Sequence, residues 1–166
     1  RETTMPVIDA RADLESLRLT FVTEHDAPVE RVWQLWEDPR QLERWWGPPE
    51  WPATFTRHDF VPGGWSTYSM TGPNGEKAPG WWIATAVEAP HRFTFDDGFA
   101  GQDGDPDPAM PAIDCTAALD ALGDGRTRMT FTCVFPTAEA YEQIMAMGME
   151  EGMHSALGQI DGVLGG

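Results

Sequence analysis

Basic residues are scarce in this chain of 166 residues: 11 Lys and Arg stand against 27 Asp and Glu, a net charge of −16. Such a surface repels phosphate backbones and anionic lipid, so neither nucleic acid nor a membrane is an expected partner. Long apolar runs are missing too; none approaches the roughly 18 residues that a membrane span needs. The N-terminal stretch lacks the apolar centre of a signal peptide. Cysteine occurs only at Cys115 and Cys133, too few for a disulfide framework, and a cytoplasmic setting fits best. His25, His58, His91 and His154 show no zinc-ligand spacing. Asp103 to Asp107 imitates the start of a calcium loop, but Pro108 occupies the place of its sharp-turn glycine. Neither a metal nor a cofactor is expected.

Aromatic residues are plentiful: 8 Trp, 8 Phe and 2 Tyr, within a hydrophobic share of 41%. That is enough for one core, and the expected organisation is a tail over 1–13 followed by a single domain over 14–166. The alternation of Leu17, Leu19 and Phe21 predicts a first strand. Val29, Val32, Trp33 and Trp36 then recur at helical spacing until Pro39. A second short helix, 40–46, ends at Gly47-Pro48-Pro49. Six further strands follow, punctuated by Pro62-Gly63-Gly64, Gly72-Pro73-Asn74-Gly75, Ala89-Pro90, a polar loop over 97–111, and Gly123-Asp124-Gly125. Thr137 can cap one long final helix. A curled antiparallel sheet covered by one helix leaves a cavity between them as the default site.

Several segments resemble the SRPBCC superfamily, and more narrowly the family named for the C-terminal domain of the activator of Hsp90 ATPase. They are Ala27-Pro28-Val29-Glu30-Arg31-Val32-Trp33, Leu42-Glu43-Arg44-Trp45-Trp46-Gly47-Pro48 and Asp59-Phe60-Val61-Pro62-Gly63-Gly64. The 71–75 hairpin, Val87-Glu88-Ala89-Pro90 and Gly148-Met149-Glu150-Glu151-Gly152-Met153 fit the same pattern. The resemblance covers about 14–164. It implies an α+β helix-grip fold, START- and Bet v1-like: a curved seven-stranded antiparallel sheet around a long C-terminal helix, with two short helices after the first strand. It supplies no catalytic motif.

The expected lining of the cavity starts with Trp46. Trp45 and Trp46 are adjacent, so one indole is expected to seal the core and the other to reach the cavity rim. By strand alternation His58 shares a face with Thr54, Thr56 and Phe60. Tyr68 and Met70 form the next inward set, and Trp82, Phe95, Cys115 and Phe131 belong to the strands beyond. Met145, Met149 and Met153 recur along the final helix beside Gly148 and Gly152, which permit close packing or leave room for a ligand. Inward faces on both strands of the last hairpin are odd-numbered, so paired numbers must sum to an even value. A two-residue turn at Asp124-Gly125 gives an odd sum; a longer turn is expected, bringing Cys115 beside Cys133 as free thiols.

Three functions remain open on these residues. The first is binding of a small apolar or aromatic molecule. The second is cyclase- or aromatase-like catalysis with His58 as acid/base and Tyr68 as proton donor. The third is a co-chaperone-like interaction domain, with a protein partner or a second copy of the chain.

Overall fold

Alternating burial marks the strands directly. In β2 (Arg18–His25), Leu19, Phe21, Thr23 and His25 point inward, while the residues between them are partly open. A computed structural model describes residues 7–165. It adds to β2 the strands β1 (Val7–Asp13), β3 (Ala53–His58), β4 (Trp65–Thr71), β5 (Lys77–Glu88), β6 (Arg92–Phe99), β7 (Ile113–Gly123) and β8 (Arg126–Val134). They form one antiparallel sheet in the order β1-β2-β8-β7-β6-β5-β4-β3.

The fold is α+β, as expected, but the sheet has eight strands rather than seven. The added strand is β1, drawn from residues assigned to the tail. Beyond Val7 every side chain of β1 is exposed, so no alternation reveals it. Backbone pairing to β2 holds it, with Ala10 opposite Phe21. Leu17 lies in the turn between the two strands at φ 57 rather than inside a strand.

Helices α1 (Val29–Glu37) and α2 (Pro39–Leu42) carry the chain from β2 to β3, at the opposite edge of the sheet. Helix α1 buries Val29, Val32, Trp33, Leu35 and Trp36 on its inner face. Pro39 ends α1 and opens α2, whose cap is the Asp38 carboxylate accepting the Arg40 N–H at 3.0 Å. Helix α2 is a single turn, so Trp45 and Trp46 lie just beyond it and not within it.

The expected single C-terminal helix is three segments: α3 (Ala138–Ala146), α4 (Met149–Leu157) and α5 (Ile160–Gly165). Thr137 caps α3 by accepting the Ala140 N–H at 3.0 Å. Gly148, at φ 89, adopts a left-handed conformation that breaks α3 from α4. A turn at Gly158 separates α4 from α5. Among the described residues no helix is long and apolar enough to cross a membrane.

The last hairpin settles its register in an unexpected way. Cys115 does pair with Cys133 and Leu119 with Met129, the even sums expected. Yet Gly123 pairs with Arg126 across a two-residue turn, with Asp124 (φ 56) and Gly125 (φ 72) both left-handed, as a type I′ turn requires. An irregularity between Ala121 and Gly123 absorbs the odd residue. The two thiols are free and buried, with sulphurs 3.8 Å apart.

Inward faces of sheet and helices merge into one core centred on Trp36. Its ring lies 4.8 Å from Trp45 and 5.6 Å from Phe131, and its N–H meets the Met129 sulphur at 3.3 Å. A buried polar clamp ties α5 to this core. His25 Nδ1 lies 2.8 Å from the Asp161 carboxylate, and Nε2 lies 2.8 Å from the Thr23 hydroxyl. Both ring nitrogens thus have a polar partner, and so has the buried Thr23 hydroxyl. Replacing His25 by Ala orphans the Thr23 hydroxyl and leaves a void. Urea unfolding is expected to show a loss of about 2–3 kcal/mol.

Candidate functional site

A cavity of about 450 Å³ opens between β4–β6, the loop after α2, and the α3–α4 break. The loop contributes Trp46, Gly47, Pro48 and Trp51, and the strands contribute Tyr68, Met70, Ala78, Asp97 and Phe99. The helical side supplies Ile144, Met147, Gly148, Met149, Gly152 and Met153. This volume suits a small organic molecule, and the walls are mainly aromatic and thioether.

The adjacent indoles divide their work here. Trp45 is fully buried, and its N–H donates to the Leu35 carbonyl at 3.0 Å. Trp46 forms part of the cavity wall, with its ring 4.9 Å from Trp82 and 6.2 Å from Tyr68. Its indole N–H, like that of Trp82, completes no hydrogen bond. Gly47 makes the reversal after them at φ 99, and a Cβ there would run into the Trp51 carbonyl. Gln159 pins the same turn by donating to the carbonyls of Gly47 at 2.8 Å and Trp45 at 3.2 Å. Gly47→Ala is therefore expected to destabilise the protein by about 1–3 kcal/mol in thermal or urea unfolding.

The other expected lining residues fall into two groups. Tyr68, Met70, Met149 and Met153 reach the cavity with Trp46. Trp82, Phe95, Cys115 and Phe131 do not line it; they are packed in the aromatic core, where Trp82 and Phe95 rings approach to 4.2 Å. Met145 packs at the margin of that core, because the Gly148 break takes it off the line of Met149 and Met153.

His58 and Phe60 also lie away from the cavity, with His58 held at the end of α1. An irregularity between Phe55 and Arg57 shifts the phase of β3, so Phe55 and His58 point inward while Thr54 and Thr56 are exposed. Phe60 packs 4.5 Å from the Phe93 ring. His58 pairs with Ser66, not with Tyr68. Its Nε2 donates to the Trp36 carbonyl and its Nδ1 meets the Ser66 hydroxyl, both at 2.7 Å. Burial holds this imidazole below its ordinary pKa. Both ring nitrogens are thus engaged at the end of α1, and the His58–Tyr68 pair is not assembled.

Tyr68 has a different partner. Its hydroxyl donates to Asp97 Oδ1 at 2.8 Å, across the intervening β5. Asp97 sits opposite Trp82 in the β5–β6 pairing. Burial raises its carboxyl pKa to about 7, against the opposing pull of Tyr68 and Trp82. Burial, followed by the neighbouring Asp97 charge, pushes the Tyr68 phenol well above its ordinary value. Asp97 was legible in principle: Phe93, Phe95 and Asp97 share one alternating face. The sequence reading ends the strand at 96, whereas β6 continues to Phe99.

Relatives now bear on the site. The family described as activator of Hsp90 ATPase homolog 1-like protein matches residues 26–165. The chain belongs to that family. This AHSA1-like chain is 51% identical to a protein from Arthrobacter aurescens with a solution NMR structure, at TM-score 0.92 over 96% of this chain and 92% of that one. It is 48% identical to a crystallised protein from Mycobacterium smegmatis, at TM-score 0.87 over 96% and 97% of the two chains. A protein from Staphylococcus epidermidis is 26% identical at TM-score 0.81, over 95% and 94%. None of the curated proteins matches the chain.

Proposed function

We propose that this AHSA1-like protein binds a small apolar or aromatic molecule in the cavity between the sheet and the α3–α4 segment. The observation that carries the reading is the cavity itself: about 450 Å³, walled by Trp46, Trp51, Phe99 and the methionines 70, 147, 149 and 153. Methionines adapt to varied apolar shapes, and the indoles supply rigid flat surfaces. Domains of this fold commonly bind ligands, and most side chains lining this cavity are apolar, which suits a ligand with a largely apolar body.

The test is native mass spectrometry of the protein before and after incubation with a metabolite extract. An added mass that survives gentle ionisation and disappears on denaturation is expected. Protein that stays bare at every extract concentration contradicts the reading.

A further inference from the structure

The cavity is apolar everywhere except at one pole, and that pole is built from a carboxyl group. Among the described residues Asp97 is the only acidic or basic side chain in its wall. Tyr68 takes one carboxylate oxygen, Oδ1. Among the described residues no donor reaches the other, Oδ2, at full bonding geometry; the Trp82 N–H opposite pulls on the carboxylate without completing a hydrogen bond and leaves acceptor capacity free. Trp46, buried to within 2% and likewise unpartnered at its N–H, stands edge-on to the Tyr68 ring at this pole. Trp51 and Phe99 continue the aromatic wall.

A half-satisfied carboxylate beside aromatic rings selects a particular chemistry. A carboxylate is an acceptor, so it calls for a donor on the ligand. Ring faces attract cations, and a desolvated pocket strengthens that attraction. An anionic ligand meets repulsion instead, both from Asp97 and from the net charge of −16 over the whole chain, which also enriches cations near the mouth. Resting on the reading above, we propose that the ligand is an apolar amine. Its protonated nitrogen sits against Asp97 Oδ2, and its hydrocarbon or aromatic body lies along Met70, Met149 and Met153.

Proton linkage follows from this arrangement. Because burial raises the empty site's carboxyl to about 7, an incoming ammonium must expel a proton below that pH. The groups facing Asp97 do not compete for the role. Tyr68 and Cys115 are both shifted upward and stay neutral, Trp82 does not titrate, and the α3–α4 lining is Ile144, Met147, Met149 and Met153.

The experiment uses three probes with one body: 4-phenylbutylamine, 4-phenylbutanol and 4-phenylbutyrate, titrated calorimetrically at pH 8 and pH 6. The amine is expected to bind at least about tenfold more tightly than the alcohol at pH 8, with the acid weakest. Its affinity is expected to fall about tenfold by pH 6, as proton competition at a carboxyl near 7 dictates. Asp97→Asn is expected to bring the amine down to the alcohol. In the unaltered protein at pH 6, buffers of different ionisation enthalpy are expected to report release of about one proton. An alcohol that binds as tightly as the amine, or an amine that binds without releasing a proton, overturns the amine assignment and leaves the apolar cavity reading standing. Failure of all three probes to bind at millimolar concentration overturns both.

Discussion

Asp97→Asn is expected to stabilise the ligand-free protein at pH 8 by on the order of 2–3 kcal/mol, an unusual direction for a change in a cavity wall. The sign follows from linkage. The carboxyl lies at 3.8 when unperturbed and at about 7 in the folded chain, so between these values only the folded chain retains the proton. Native stability from this group is therefore highest below about pH 4, declines as pH rises towards 7, and stays low above it. The full shift corresponds to about 4 kcal/mol, and the partial solvent access of the cavity wall reduces it. Asparagine keeps an acceptor for Tyr68 and removes the charge. Urea unfolding of both proteins across pH 4–8 checks this: the stability difference is expected to vanish near pH 4 and to grow to its full size by pH 8. A constant difference across that range contradicts the assignment of Asp97 as a buried, proton-holding carboxyl.

Gly152→Leu has the second large effect, on binding rather than folding. Gly152 lies in the cavity wall on α4, and a Cβ added there meets nothing within 4 Å. This open space shows that Gly152 does not serve close packing. Leucine gains about 1 kcal/mol of helix propensity over glycine and occupies the volume beside Met149 and Met153. Thermal stability is expected to hold or rise, while affinity for 4-phenylbutylamine falls by about 100-fold or more. Gly162→Leu is the matched control, because Gly162 is a helical glycine on the exposed face of α5. It is expected to share the helix gain and leave binding unchanged. Equal binding by the Gly152 variant and the wild type would remove α4 from the site.

Elements with a buried face were legible in the sequence, and those without one were not. Helix α1 and strands β2 and β8 advertise themselves by period, because their inner residues enter one core. Strand β1 does not, since nearly all its side chains face water and only its backbone is engaged. Irregularities of register were equally silent. The one at β3 turns Phe55 and His58 inward together, and the one before Gly123 lets a two-residue turn coexist with an even register. Neither can be read from residue type, because each is fixed by the strand opposite.

The candidate site follows the same logic. Tyr68, Met70, Met149 and Met153 were placed by alternation and helical spacing, and Trp46 by its adjacency to a second indole that could not share its face. Trp51 and Met147 were missed because they stand on irregular backbone beside Gly47 and Gly148, where no period applies. Asp97 was missed because a carboxylate beside Gly and Phe suggests the start of a loop. Its inward position depends on β6 continuing past the aspartate pair.

Methionine-methyl NMR tests the central claim most directly, because methionines occupy both the cavity and the core. Titration with 4-phenylbutylamine is expected to shift the methyl signals of Met70, Met147, Met149 and Met153, which line the cavity. Met129, fully buried against Trp36, is expected to stay in place. Saturable shifts confined to the four cavity methyls are the result predicted for a ligand seated between the sheet and α4. No shift in those four, or a response led by Met129, would contradict a binding cavity at this position.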